Sequence, residues 1–319
     1  MADADARPAG LQLQPVLRVT SLRSVPRPAL LALLRAERDT WARRLRWSPP
    51  DPGQVLELAA SSGMLQGLAL QRGEELIGYG STHSSPGLFR VGSFYLRPEA
   101  PPESVDLLVA ALLGSNDGRR FEAQLSAFEW QDQLDRAMTA RGVTVTPRDW
   151  LALDLRRLPA EPTGLDLRLA PWTVRSIAEC ADLLVQAHQG STEAAINATF
   201  RDRRSAHSYL EDLVRGPGCG RFSPSISRLA HVDGRLAGFC VVTDVGPAAA
   251  HLPQVAVAPD CWGGGVGTAL LLAAATSARE AGHSWLTLSV SRSNARAAEW
   301  YRRLGFQGLS RFSAYHADG

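Results

Sequence analysis

Apolar residues recur along this chain with two periods: alternation in short runs, and a spacing of three to four in longer ones. The first marks half-buried strands and the second marks helices. In the second half the pattern predicts a strand at Asp166–Leu169, helices over Val174–Gln189 and Ser205–Arg215, and strands at Ser227–His231 and Leu236–Thr243. An alternating strand from Gln254 then meets a glycine-rich turn and a long apolar helix. A strand with Leu286, Leu288 and Val290 on one face, a helix and a last strand, Gly308–Tyr315, follow.

The first half predicts a matching order. Strand Val16–Thr20 precedes helices Arg27–Arg43 and Gly53–Ser61, then strands Leu65–Arg72, Leu76–His83 and Leu88–Arg97. Helix Ser104–Leu113, strand Phe121–Ala127, helix Asp132–Arg141 and strand Trp150–Leu155 complete it. The Pro-rich stretch Arg156–Gly164 separates the halves. The expected fold class is mixed α/β, built as two similar units, 1–157 and 165–319, a candidate internal repeat.

The chemistry concentrates in QVAVAPDCWGGGVGTALLL, Gln254 to Leu272. Gly263, Gly264, Gly265 and Gly267 sit where strand gives way to helix. Free backbone N–H groups and the positive end of the helix dipole converge there, which suits an anion such as a pyrophosphate. A P-loop is excluded because Thr268-Ala269, not Lys-Ser/Thr, follows Gly267. A dinucleotide fingerprint is excluded because its third glycine is missing. The second motif is LTLSVSRSNARAAEWYRRLGF, Leu286 to Phe306. Asn294 is a good N-cap and Gly305 a good C-cap, and Tyr301 lies two turns from Asn294 on one helix face.

Together, VAVAP with its glycine turn and SRSNARAAEWYRRLGF resemble the acetyl-CoA-dependent N-acetyltransferases of the GNAT superfamily. The resemblance implies tandem GNAT-like units, each a mostly antiparallel twisted sheet flanked by helices, with the motifs in residues 165–319. It implies a cofactor site at Val255, Ala256, Val257, Gly263, Gly264, Gly265, Val266, Gly267, Thr268, Asn294, Ala297 and Arg296, with Tyr301 as general acid to the departing thiolate. One departure is Trp262, where the family usually has Arg or Gln. The first half has LRPEAPPE, Leu96 to Glu103, at the glycine turn and no tyrosine in Asp132–Gly142. Its prolines remove N–H donors, so it is expected to bind no acetyl-CoA.

Acetyl transfer to a primary amine needs a base, because an alkylammonium near pKa 10.4 is only about 0.04% neutral at pH 7. The candidates are His251, chosen for a pKa near neutrality, then Asp244, then Glu193. A mycothiol-synthase-like enzyme acting on a cysteinyl-amine glycoconjugate and a non-catalytic acyl-CoA sensor are the alternatives. The acceptor is a small-molecule or peptide amine, and a monomer and a homodimer both fit.

Composition narrows the rest. Net charge is +2 with 34 basic residues, all arginine. That predicts no nucleic-acid stripe and no binding to anionic membranes, and it rules out Schiff-base lysine chemistry. Cys180, Cys219, Cys240 and Cys261 are widely spaced and the histidines form no metal motif, so reduced thiols and no metal are expected. No leader-type or membrane-spanning run is evident, and a cytoplasmic enzyme is expected.

Overall fold

The computed structural model describes residues 16–48, 58–59, 62, 64–160, 166–191, 193–194, 197–216 and 219–319. In the first half, β1 (Leu17–Ser21) leads to α1 (Arg27–Leu45), β2 (Gly67–Arg72), β3 (Glu75–Ser85) and β4 (Leu88–Leu96). Then come α2 (Glu103–Gly114), β5 (Arg120–Leu125), α3 (Gln131–Thr139) and β6 (Thr144–Asp154). In the second half, β7 (Arg168–Pro171) precedes α4 (Ile177–His188), α5 (Arg203–Arg215), β8 (Arg221–Phe222), β9 (Arg228–Val232), β10 (Arg235–Asp244) and β11 (Ala249–Val257). α6 (Val266–Glu280), β12 (Trp285–Ser291), α7 (Ala295–Arg303) and β13 (Gln307–Ala317) follow.

These elements match the periodicity closely, with differences at β6 and β8. β6 starts at Thr144, well before Trp150, although Pro147 interrupts its pattern. Pro147 is accommodated because it lies one residue past the last pair between β6 and β12, Arg148↔Ser291. The short strand β8 was not expected. Most of the helix expected at Gly53–Ser61, the first fifteen residues and all of 161–165 lie outside the described residues.

All strands join one sheet in the order β1-β2-β3-β4-β5-β13-β6-β12-β11-β10-β9-β7, with β8 on β10. Pairing is antiparallel except for β4 with β5 and β11 with β12. The last strand of each half is exchanged: β6 lies between β13 and β12, and β13 lies between β5 and β6.

Both parallel pairs open at one end. β4 and β5 pair from Leu88↔Arg120 to Val91↔Ala123, and β11 and β12 pair from Ala249↔Trp285 to His251↔Thr287. Beyond those residues the strands part. A bulge coincides with each opening, at Gly92 in β4 and at Leu252–Pro253 in β11. An extra residue bends its strand away from the neighbour, so each half contains a V-shaped gap.

Alternation along the strands separates the core into layers. On β10, Cys240 and Val242 face α6 and α7, while Phe239 and Val241 face α4 and α5. In the first half, Ile77 and Phe94 face α2 and α3, and Tyr79 and Tyr95 face α1. Leu45, Trp47, Trp150, Val245 and Phe312 form an aromatic-rich cluster that joins the halves.

Candidate active site

The glycine turn joins β11 to the start of α6. Gly265 is the N-cap of α6 in the left-handed region (φ 84°), and no side chain caps the helix. Gly263 is left-handed too (φ 83°). The first N–H groups of α6, from Val266, Gly267 and Thr268, therefore face outward, as a helix start leaves them. A Cβ at Gly267 would sit 3.4 Å from Trp300 and Val257, an ordinary contact. Protein packing alone does not demand glycine there, but close approach of a ligand would.

The side chains around this cradle are rearranged from the family pattern. Trp262 is 47% exposed, and its indole N–H donates to the Val257 carbonyl at 2.8 Å. The Arg296 guanidinium lies over the Trp262 ring, 4.9 Å from its centroid. Positive charge thus reaches the glycine turn from α7. Arg292 does not share this task, since it is bound to Asp149 at 2.8 Å. Trp300 is a strut between helices, donating to Thr268 Oγ1 at 3.1 Å. Asn294 caps α7 by accepting from the Ala297 N–H at 3.1 Å, and Ala297 packs against the core under the helix.

The backbone of β11 supplies the edge of the V. The Ala258 N–H donates to Ala237 of β10, so by strand alternation Ala256 also faces β10, and Val255 and Val257 turn their backbone groups toward the gap. Two side-chain donors find them there: Gln254 Nε2 reaches the Val255 carbonyl at 3.0 Å, and Trp262 reaches Val257. Of Val255, Ala256 and Val257, the middle residue is thus taken up by the sheet. Its side chain packs under α4 and α5, which corrects the expectation for Ala256.

Tyr301 is buried (7% exposed) between Trp300 and Phe306, with ring centroids 4.7 and 5.5 Å away. Burial pushes its phenol above the usual tyrosine value, so it keeps its proton at any ordinary pH.

The base candidates separate. His251 does not have the near-neutral pKa expected of it. It is buried, stacks on Trp150 at 4.8 Å and meets the Trp47 edge at 5.0 Å. Burial pushes it down to about 3. The Thr287 hydroxyl donates to the Ala250 carbonyl, so its oxygen accepts from His251 Nδ1, 3.0 Å away. Asp244 pairs with His283 at 2.9 Å and Arg221 at 3.2 Å, and sits opposite Ala250, at the closed end of the V. That corrects both expectations. Glu193 lies elsewhere: its carboxylate holds Arg148 at 2.8 Å, with side chains 12% and 13% exposed. The arginine comes from β6, opposite Ser291 at the end of β12.

Arg148, Ser291 and Tyr209 were not found from sequence. Tyr209 of α5 places its hydroxyl 3.5 Å from both the Pro253 carbonyl and Gln254 Oε1 at the bulge. Arg148 precedes the expected strand Trp150–Leu155, whereas β6 begins at Thr144; alternating Val143 and Val145 are the sequence signal for the longer strand.

The first half has the same opening with different contents. Trp130 is the N-cap of α3, as Asn294 is of α7. Its indole donates to the Arg97 carbonyl, just past β4, at 3.2 Å. Ala137 holds the seventh helical position, where α7 has Tyr301.

Among the described residues no group of three or more His, Cys, Asp or Glu could hold a metal ion, and no helix is long and apolar enough to cross a membrane. The sequence pattern described as "Acetyltransferase (GNAT) family" matches residues 187–306. A GCN5-related N-acetyltransferase from Sphaerobacter thermophilus is similar with TM-score 0.65 and 16% identity, covering 95% of each chain. A tandem GNAT protein from the clavulanic acid biosynthesis pathway gives 0.56 and 18%, covering 95% of this chain and 98% of that one. A GNAT-family acetyltransferase from Colwellia psychrerythraea gives 0.54 and 15%, covering 94% and 99%. No curated protein sequence matches. The chain thus carries the fold of the GCN5-related N-acetyltransferases, with the family's sequence pattern matched over residues 187–306.

Proposed function

We propose that this chain is a tandem acetyltransferase, with a silent unit in 1–157 and an active one in 165–319, that moves an acetyl group from acetyl-CoA to a primary amine. The observation that carries the reading is the open V between β11 and β12 beside an uncapped, glycine-lined helix start. The cradle of Gly263–Thr268, with Arg296 beside it, suits a pyrophosphate. Val255 or Val257 offers an N–H to the thioester oxygen as it gains charge.

The amine nitrogen attacks the thioester carbon, the C–N bond forms, and the C–S bond breaks. The departing thiolate takes a proton from Tyr301. Burial of Tyr301 makes that donation costlier than for a free phenol, so its contribution is moderate. The ammonium proton must leave first. Against an alkylammonium near 10.4, a histidine near 3 is short by about 7 pKa units, about 10 kcal/mol. Glu193, on the α5 side of the gap, is assigned as the acceptor of that proton, directly or through water.

Calorimetric titration with acetyl-CoA and a multiple-turnover CoA-release assay with a panel of primary amines test this. One site per chain and amine-dependent CoA release are expected. Absence of binding would remove the reading, and binding without release would leave a sensor.

A further inference from the structure

Two unmade hydrogen bonds lie side by side where β6 meets the end of β12, the strand that edges the gap. Arg148 and Ser291 are direct partners across β6 and β12, so their side chains leave the sheet on one face. Arg148 spends one Nη2 donor on Glu193, but its Nε–H is buried with no acceptor. The Ser291 hydroxyl, in a residue 3% exposed, is also buried with no partner. A buried donor left unmade costs free energy, and two neighbouring ones are best explained by an acceptor that arrives from outside. Glu193 holds Nη2 of the same guanidinium, the nitrogen that shares an edge with Nε. The group thus presents donors for an anion and, one side chain away, a carboxylate for a cation.

We infer that the acceptor substrate is an amino-carboxylate, its carboxylate held by Arg148 Nε and Ser291 Oγ and its ammonium directed to Glu193. This rests on the acetyltransferase reading and names its substrate class. Arg148 belongs to the strand that the first half lends to the second. The silent half would therefore set specificity while binding no acetyl-CoA of its own.

The test compares β-alanine, 4-aminobutyrate and L-leucine with ethylamine, propylamine and isoamylamine, their counterparts without the carboxylate. The wild-type protein should favour at least one amino-carboxylate over its partner by roughly 100-fold in kcat/KM, as sites with a dedicated polar contact do. Arg148→Gln should erase that preference. Ser291→Ala, a small change that should not disturb folding, should lower kcat/KM for the carboxylate by about 10-fold and leave the plain amine unchanged.

Calorimetry with the same compounds in the presence of CoA reads binding apart from chemistry. A binding preference lost in Ser291→Ala, without acetyl transfer, would keep this inference and end the acetyltransferase reading. Acetyl transfer to both classes alike, with both variants affecting them equally, would do the reverse and leave Arg148 as a tie between halves. Equal binding of both classes without transfer would overturn it too.

Discussion

Trp130 and Asn294 hold the same station in the two halves of the sheet, and they do opposite things. Each ends the connection from the second parallel strand and occupies the N-cap position of the helix that follows. Asn294 folds back onto its own helix and leaves the β11–β12 opening free. Trp130 instead reaches across to the Arg97 carbonyl just past β4 and joins the core of the first half. The backbone arrangement, down to the position of the bulge, is common to both. A few side chains distinguish the two, which is why fold alone does not assign activity.

The comparison can be broken most forcefully at Trp130. Trp130→Ala should cost about 3–5 kcal/mol in urea denaturation, the usual loss for a buried aromatic. Acetyl-CoA stoichiometry should stay at one, because Pro101 and Pro102 still replace the glycine turn. A second site appearing in that variant would mean the indole alone silences the first half.

Next is the cradle. Gly265→Val places a β-branched residue at φ 84° and crowds the anion position. Acetyl-CoA affinity should fall about 100-fold by calorimetry, while circular dichroism stays unchanged. Unaltered affinity would place the ligand elsewhere.

Two largely covered carboxylates sharpen the contrast further. Glu193 has the Arg148 guanidinium, whereas Glu37 has the uncharged Tyr79 hydroxyl and Trp41 indole beside it. Burial pushes Glu37 up to about 7 from an ordinary value of 4.5. Between those values the folded state holds a proton that the unfolded state has lost. Stability from this group therefore falls as pH rises through that window and levels off above about 7, by about 3 kcal/mol in all. Glu37→Gln should flatten that slope and add about 2 kcal/mol at pH 7.5. Urea midpoints at pH 5 and 7.5 measure it; an unchanged slope would show that Glu37 is ionised in place.

The smallest expected effect is at the acid. Tyr301→Phe should lower kcat about 10-fold and leave the acetyl-CoA KM nearly unchanged. Full loss of turnover would make the phenol more central than its buried, proton-retaining state suggests.

Local pattern made most of the elements legible, because helix and strand periods and the caps at Asn294 and Gly305 act over a few residues. It could not reveal the exchange of β6 and β13. That depends on register between 144–154 and 307–317, which no local signal encodes. The same distance hid Arg148, which is close to Glu193 only because β6 crosses into the other half. His251 was misjudged for a related reason: its near-neutral value is a property of the free side chain, and Trp47 and Trp150 arrive from far upstream to exclude water from it.

The exchanged strands also bear on how the chain acquires its shape during synthesis. β13 inserts between β5 and β6, partners laid down some 150 to 200 residues earlier. While the second half is being translated, β5 and β6 wait without the strand that separates them, each with an unpaired edge. Such edges invite pairing with other nascent chains. Polysome-bound chains halted before Gln307 should therefore associate through the first half, and release of the final eleven residues of β13 should dissolve that association. Protease mapping of arrested chains would read the order directly, with Trp150 and Tyr315 becoming protected together.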